Sequence, residues 1–256
     1  MNGKGGKGAW GLIGALKRHF RRDWEGGAER SNDWAGHLVA SLHPQALLDL
    51  GCGDGAKLFR YLDYTPNLFC GVEASPSHAA KAKERGIKVT SFDLNGRWPY
   101  DDRTFDVVHC AYLIEHLHNT RLFAMEAFRV LKPGGTAVIT SENLCSFLNL
   151  IAMALGYTPF TLANCCGWVL GNPLGLHYQE DFPEYVAIDD PAFSGVSGHV
   201  RALSVPQARD LFNRAGFATE SSSIGLLPLP APIGRMFEGL CYRRGHFLLV
   251  KATKPS

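Results

Sequence analysis

The chain has 256 residues, 46% of them hydrophobic, which is enough to bury one large core. Its 26 basic and 24 acidic residues leave a formal charge of +2, so no overall field favours nucleic acid or an acidic substrate. Seven cysteines form no CxxC pair, and several lie in apolar, strand-like runs, which implies a reduced interior. The adjacent Cys165 and Cys166 do not supply the ligand spacing of a zinc site.

In chain order, residues 1–8 (MNGKGGKG) are mostly glycine and lysine with little to bury and are expected to form a mobile tail. Trp10, Ile13, Leu16, Phe20 and Trp24 then recur at three- and four-residue steps, predicting an amphipathic helix that packs beside the ligand cleft, with a membrane-surface role as the alternative. Lys17, Arg18, Arg21 and Arg22 follow the apolar stretch, the wrong order for an export signal. From residue 46, strand candidates ALLDL (46–50), LFCGVE (68–73), IKVTSF (87–92), FDVVHCAY (105–112) and TAVITS (136–141) alternate with helical stretches. That alternation implies right-handed crossovers and a Rossmann-like, doubly wound, mainly parallel sheet. Any ligand then belongs at the carboxyl ends of the strands.

Residues 142–200 break the alternation and are expected to form a lid insertion after the fifth strand. The uncharged run over 143–176 is interrupted by Asn149, Gly156, Pro159, Asn164 and Pro173, too often for a spanning helix of about 18 unbroken apolar residues. Ser204 and Gly216 bracket a further helix, and ATESSSI and GHFLLVKAT complete a seven-stranded sheet. No internal repeat is present. The expectation is one soluble, cytoplasmic α/β domain over residues 9–256.

The sharpest local pattern is LLDLGCGDG, residues 47–55, an apolar strand running into Gly51, Gly53 and Gly55 ahead of a helix. Glycines there let backbone approach a ligand closely. With Ala56 the run also scans as G-x-G-x-x-A, a form of the dinucleotide fingerprint, and Glu73 stands where that fingerprint expects an acid. Asp49 inside the first strand and Asp93 after the third argue differently: carboxylates suit a cationic sulfonium ligand better than a pyrophosphate.

The run from LLDLGCGDG through GVEAS, SFDLN and FDVVHCAYLIEHL to VLKPGGTAVIT, residues 45–141, resembles class I S-adenosylmethionine-dependent methyltransferases. The later GHVRALSVPQARDLFNRAGF is similar to that family's closing segment. The resemblance implies that Gly51 and Gly53 pass under the methionine part of S-adenosylmethionine, with Asp49 and Cys52 helping to form that wall. Glu73 would accept from both ribose hydroxyls, Asp93 and Leu94 would receive the adenine, and the backbone of Cys110 and Ala111 would face the methionine end. The product would be S-adenosylhomocysteine. Lys132 to Gly135 form a structural turn in this reading.

Methyl transfer from a sulfonium is an in-line displacement and depends chiefly on orientation, while a carbon or oxygen acceptor often also loses a proton. Candidate bases are His116 in IEHL and His199 in SGHVR; His109 lies inside a strand and is expected to be buried. YLIEHL also resembles a version of this motif in which two glutamates and a histidine hold magnesium. Here Tyr112 occupies the first glutamate position, leaving Glu115 and His116, too few oxygens for a hard cation. No metal is therefore expected, and Tyr112 is a candidate to line the acceptor pocket.

Apolar residues over 144–170 and the run IGLLPLPAPIGRMF over 224–237 suit a lipid, polyketide or aromatic small-molecule acceptor, if they face the strand ends. Nothing resembles a nucleic-acid module, and peripheral membrane contact stays open. Two alternatives stand beside methyl transfer: a protein that binds the cofactor without chemistry, and a nicotinamide-dependent oxidoreductase.

Overall fold

The computed structural model describes residues 6–162, 164–165, 168–169, 171 and 198–256. Its elements are α1 (Gly6–Ser41), β1 (Ala46–Leu50), α2 (Ala56–Phe59), β2 (Leu68–Val72), α3 (Pro76–Glu84), β3 (Lys88–Thr90), β4 (Phe105–Ala111), α4 (Thr120–Val130) and β5 (Leu131–Glu142). After these come α5 (Phe147–Ala154), the short strands β6 (Asn164–Cys165) and β7 (Trp168–Val169), α6 (Val205–Arg214), β8 (Ala218–Ile224), α7 (Ala231–Phe237) and β9 (Phe247–Thr253).

Seven strands form one sheet in the order β3-β2-β1-β4-β5-β9-β8. β1 to β5 are mutually parallel, and β9 runs antiparallel to both β5 and β8. The order reverses between β1 and β4, the switch point at which doubly wound sheets open a crevice. All five residues of β1 are buried, as a strand covered on both faces requires. Leu48 and Leu50 join the core beneath α4 and α6, with Phe123, Ala127, Ala208 and Phe212. Leu47 faces the other way, with Val107 and Val138, against Ala35 and Val39 of α1.

The helix starts follow local chemistry. Side-chain oxygens of Ser75, Asn119, Ser146 and Ser204 accept from the backbone N–H three residues on, capping α3, α4, α5 and α6. Past the end of α6, Gly216 turns the chain with a φ of 107°.

Three boundaries differ from the sequence reading. Residues 6–8, expected in a mobile tail over 1–8, belong to α1, while residues 1–5 lie outside the described residues. The amphipathic stretch ending at Trp24 continues to Ser41, because Ser31, Ala35 and Val39 supply a second, fully buried stripe. β3 stops at Thr90, so Asp93 lies three residues beyond the strand rather than at its end. Of the expected lid, residues 142–162, 164–165, 168–169, 171 and 198–200 are described; its acidic stretch from Glu180 to Asp190 lies outside the described residues. No helix among the described residues is long and apolar enough to cross a membrane.

The connection into β4 is held by a buried pair. Arg129 donates to both oxygens of Glu126 (2.9 and 2.6 Å) and to the carbonyls of Trp98 (3.0 Å) and Tyr100 (2.7 Å). Glu126 also accepts from Trp98 N–H (2.8 Å). Burial pushes the Glu126 carboxyl up, but Arg129 and the Trp98 N–H outweigh it and hold the carboxyl below its usual range. Arg129→Ala strands a buried carboxylate and should lower the unfolding free energy by about 3 kcal/mol at pH 7, measured by urea denaturation. A depressed folded pKa stabilises above the unfolded value of about 4.3 and ceases to do so as pH falls through the folded value. The gap between wild type and variant should therefore narrow below about pH 4.

Candidate active site at the carboxyl end of the sheet

β1 delivers the chain into a loop in which Gly51, Gly53 and Gly55 have φ of 71°, 56° and 80°, values that favour glycine. Gly51 N–H and Cys52 N–H both donate to Val72 O, at the end of β2 (2.8 and 3.1 Å). The loop is thereby fastened to the neighbouring strand. A Cβ on Gly53 would meet nothing within 4 Å, and one on Gly51 would lie 3.2 Å from Leu113 Cδ1. The loop therefore lies beside the segment leaving β4.

Glu73 follows β2. One of its oxygens accepts from Gly53 N–H and the other from Ser75 N–H, each at 2.8 Å. The carboxylate thus spans the glycine loop and the start of α3. Asp49 is buried and accepts from His109 Nδ1 at 2.7 Å, its register partner on β4. The acid expected in the methionine wall is thereby tied within the sheet. Asp93 is exposed and accepts from the backbone and side chain of Asn95 (2.9 Å each), with Leu94 buried behind it. Cys52 and Cys110 are buried, and desolvation pushes both thiols up, so they are inert in acid–base terms. Ala111 ends β4, half-buried.

Tyr112 has a φ of 52°, an unusual conformation for a bulky residue. Its N–H donates to Thr140 O (2.9 Å), and its hydroxyl bonds to Ser31 Oγ on α1. The hydroxyl expected at the acceptor pocket thus makes a contact with the covering helix.

Beyond Tyr112 a 3₁₀ turn, Ile114–His116, carries Glu115 and His116. Val200 and Arg201 N–H both donate to Glu115 O (2.9 and 3.1 Å), and Arg201 Nε to His118 O (3.1 Å). The segment at 198–201, more than eighty residues downstream, is laid against this turn. It brings His199 to His116, ring centroids 4.8 Å apart. His116 Nδ1 donates to Gly198 O (3.2 Å) and His199 Nδ1 to Thr161 O (2.8 Å).

Two buried carboxyls flank the imidazoles. Glu115 accepts from Ser141 Oγ (2.9 Å), and burial pushes its carboxyl up to about 7. Glu142, at the end of β5, is raised well above the usual range by burial and then by Glu115. Its oxygens lie 3.8 Å from His199 Nδ1 and 3.9 Å from His246 Nε2. Burial lowers the imidazoles of His199 and His246, the latter to about 3. The sequence reading expects no metal here; the structure gathers Glu115, His116 and His199, with one potential ligand atom from each, all within 4.8 Å of one another. His199 arrives through a tertiary contact that local spacing cannot reveal.

Glu142, Asn143, Asn149 and His246 were missed as site residues. Asn149, fully buried, donates to Asn143 O (3.0 Å), Leu144 O (3.1 Å) and Thr161 Oγ1 (3.1 Å) and accepts from Phe160 N–H (2.8 Å). The available signal was Glu142 at the end of a buried strand, the same position that marks Glu73.

Residues 48–139, about a third of the chain, match the family model described as a methyltransferase domain. Demethylmenaquinone methyltransferase of Tropheryma whipplei is 26% identical over 158 residues, 58% of this chain and 63% of that protein. Ubiquinone biosynthesis O-methyltransferase of Rickettsia conorii is 31% identical over 100 residues, 38% of this chain and 35% of that one. The chain thus covers less than two thirds of the length of these relatives. A solved S-adenosylmethionine-dependent methyltransferase structure from Thermotoga maritima superposes with a TM-score of 0.51 at 19% identity, covering 94% of this chain and 99% of the other, and so shares the fold.

The loop's anchorage is directly testable. A Cβ on Gly71 would lie 2.6 Å from Cys52 Sγ and 2.9 Å from Ile87 Cγ2. Gly71→Ala should therefore push the glycine loop off β2 and cost about 1–3 kcal/mol, measured by thermal or chemical denaturation; an unchanged stability would show that the loop is not packed this way.

Proposed function

We propose that the chain, whose residues 48–139 match a methyltransferase-domain model, is a class I S-adenosylmethionine-dependent methyltransferase that transfers a methyl group from that cofactor to an apolar small-molecule acceptor. The observation that carries the reading is the Glu73 carboxylate, fixed by Gly53 and Ser75 N–H at the mouth of the glycine loop. An oriented carboxylate is an acceptor for ribose hydroxyls. It also occupies the Gly53 N–H that a dinucleotide pyrophosphate would seek and sets a negative charge beside it, which disfavours the nicotinamide alternative.

In this reading Gly51 and Gly53 allow close backbone approach, and Asp49, Cys52, Cys110 and Ala111 form the wall behind the methionine end. Asp93 and Leu94 flank the adenine, the one offering a carboxylate and the other an apolar surface. When bound, the cofactor supplies an electrophilic methyl on a sulfonium. Tyr112, His116 and His199 form the acceptor side. Each imidazole donates an Nδ1–H hydrogen bond to a carbonyl, which in the neutral ring puts the lone pair on Nε2.

An apolar acceptor is favoured by the relatives named for demethylmenaquinone and for ubiquinone biosynthesis. Exposed apolar side chains support it too: Ile151, Met153 and Leu155 around α5, and Ile233, Met236 and Phe237 on α7. Such surface suits contact with an acceptor held at a membrane face.

Calorimetric titration should give saturable binding of S-adenosylmethionine and none of NAD, with Glu73→Ala binding at least tenfold more weakly through the loss of charge-assisted hydrogen bonds, each roughly 1.5–3 kcal/mol. Quinone-ring and polyprenyl-phenol acceptors should then raise release of S-adenosylhomocysteine above the acceptor-free rate. Absence of cofactor binding by folded protein would overturn the reading, and binding without release from any acceptor would favour the non-catalytic alternative.

A further inference from the structure

We propose that Glu115, His116 and His199 form a binding site for a divalent first-row transition-metal ion, of the zinc, iron(II) or manganese(II) class. The three come from the 3₁₀ turn after β4 and from the segment at 198–201, and one ligand atom of each lies within 4.8 Å of the others. The turn is beside the glycine loop, since Leu113, next to it, would lie 3.2 Å from a Cβ on Gly51.

Three further observations point to an ion. Glu115 is buried, and its Oε1 has no hydrogen-bond partner among the described residues, although Oε2 is held by Ser141. A buried carboxylate oxygen without a donor is costly unless something positive meets it, and no lysine or arginine pairs with Glu115 among the described residues. Next, the two imidazoles have the arrangement of metal ligands: each Nδ1–H is spent on a backbone carbonyl, Gly198 O or Thr161 O, which fixes the ring and directs the lone pair to Nε2. Finally, Glu142, 3.8 Å from His199, places a second buried carboxyl group beside the three ligands.

The ligand types decide the class of ion. Two imidazoles and one carboxylate suit zinc, iron or manganese, whereas magnesium takes nearly all oxygen and keeps its waters. Two ligands about 2.1 Å from a tetrahedral ion lie roughly 3.4 Å apart, so binding would draw the three atoms inward from their present spacing. Tyr112 is no ligand, its hydroxyl being engaged with Ser31. Three protein ligands leave positions open for water or an oxygen of a small molecule.

The test is metal content and affinity, measured without cofactor or acceptor. Protein stripped with EDTA and dialysed should take up one equivalent of Zn²⁺ in calorimetry, with Mg²⁺ binding at least a hundredfold more weakly. Co²⁺ should give a visible absorption band of a low-coordinate site. Glu115→Gln, which keeps the side-chain shape, and His199→Asn should each weaken Zn²⁺ binding at least tenfold while circular dichroism stays unchanged. Should either variant unfold, the Co²⁺ band and Zn²⁺ stoichiometry of the wild-type chain decide alone. No stoichiometric uptake by folded wild-type protein, or uptake unaffected by both folded variants, overturns the site. S-adenosylmethionine titration of the EDTA-treated protein reads the cofactor site separately, so failure of one reading leaves the other standing.

Discussion

A parallel sheet covered on both faces leaves its polar side chains few places to go, and that constraint organises this molecule. With β1 buried throughout and helices above and below, a carboxylate within the strands must find a partner inside, as Asp49 does in His109. The others lie at or just beyond the strand ends: Glu73 after β2, Glu115 after β4, Glu142 at the end of β5. The strand order reverses between β1 and β4, where doubly wound sheets open a crevice, and these groups leave the sheet at that same end. Every feature discussed as functional lies on that one edge of the sheet.

How far this could be read in the sequence depended on the distance over which each feature is determined. Strands β1, β2 and β4 and the glycine loop are local, set by apolar runs and by backbone angles that only Gly51, Gly53 and Gly55 adopt easily. The cap at Ser204 is local too. β3 was read too long because Phe92 continues the strand-like pattern past Thr90 without pairing to β2. The Glu115–His116–His199 cluster depends on Val200 and Arg201 donating to Glu115 O, a contact that no periodicity announces. Tyr112 was assigned by what its motif position usually faces, whereas α1, through Ser31, decides where its hydroxyl goes.

The similarity to other proteins is concentrated in the same local part. The matched domain ends at residue 139, just before the segment from Glu142 to Asn149 that builds the polar interior. What is shared therefore includes the glycine loop, Glu73 and the turn that carries Glu115 and His116. Glu142, Asn149 and His199 come from segments beyond the match, and differences between proteins on a common fold reside in such additions.

The long helix α1 reaches across this division. It covers the sheet with Ala35 and Val39, holds Tyr112 through Ser31, and pairs Arg30 with Glu238 at 2.6 Å, 208 residues away in sequence. Gly27 lets it lie against Phe247 of β9. Ala35 and Val39 find partners on β1, β4 and β5 early in synthesis, but Arg30 waits for Glu238, 208 residues on, so the part of α1 around Gly27 and Arg30 stays exposed to water or to chaperones until β9 has been made. Closing so long a loop is slow, and Tyr112 gains its Ser31 partner only when α1 docks. Docking of the part of α1 around Gly27 and Arg30 is thus left to the end of synthesis, so one helix is seated on the sheet in two stages.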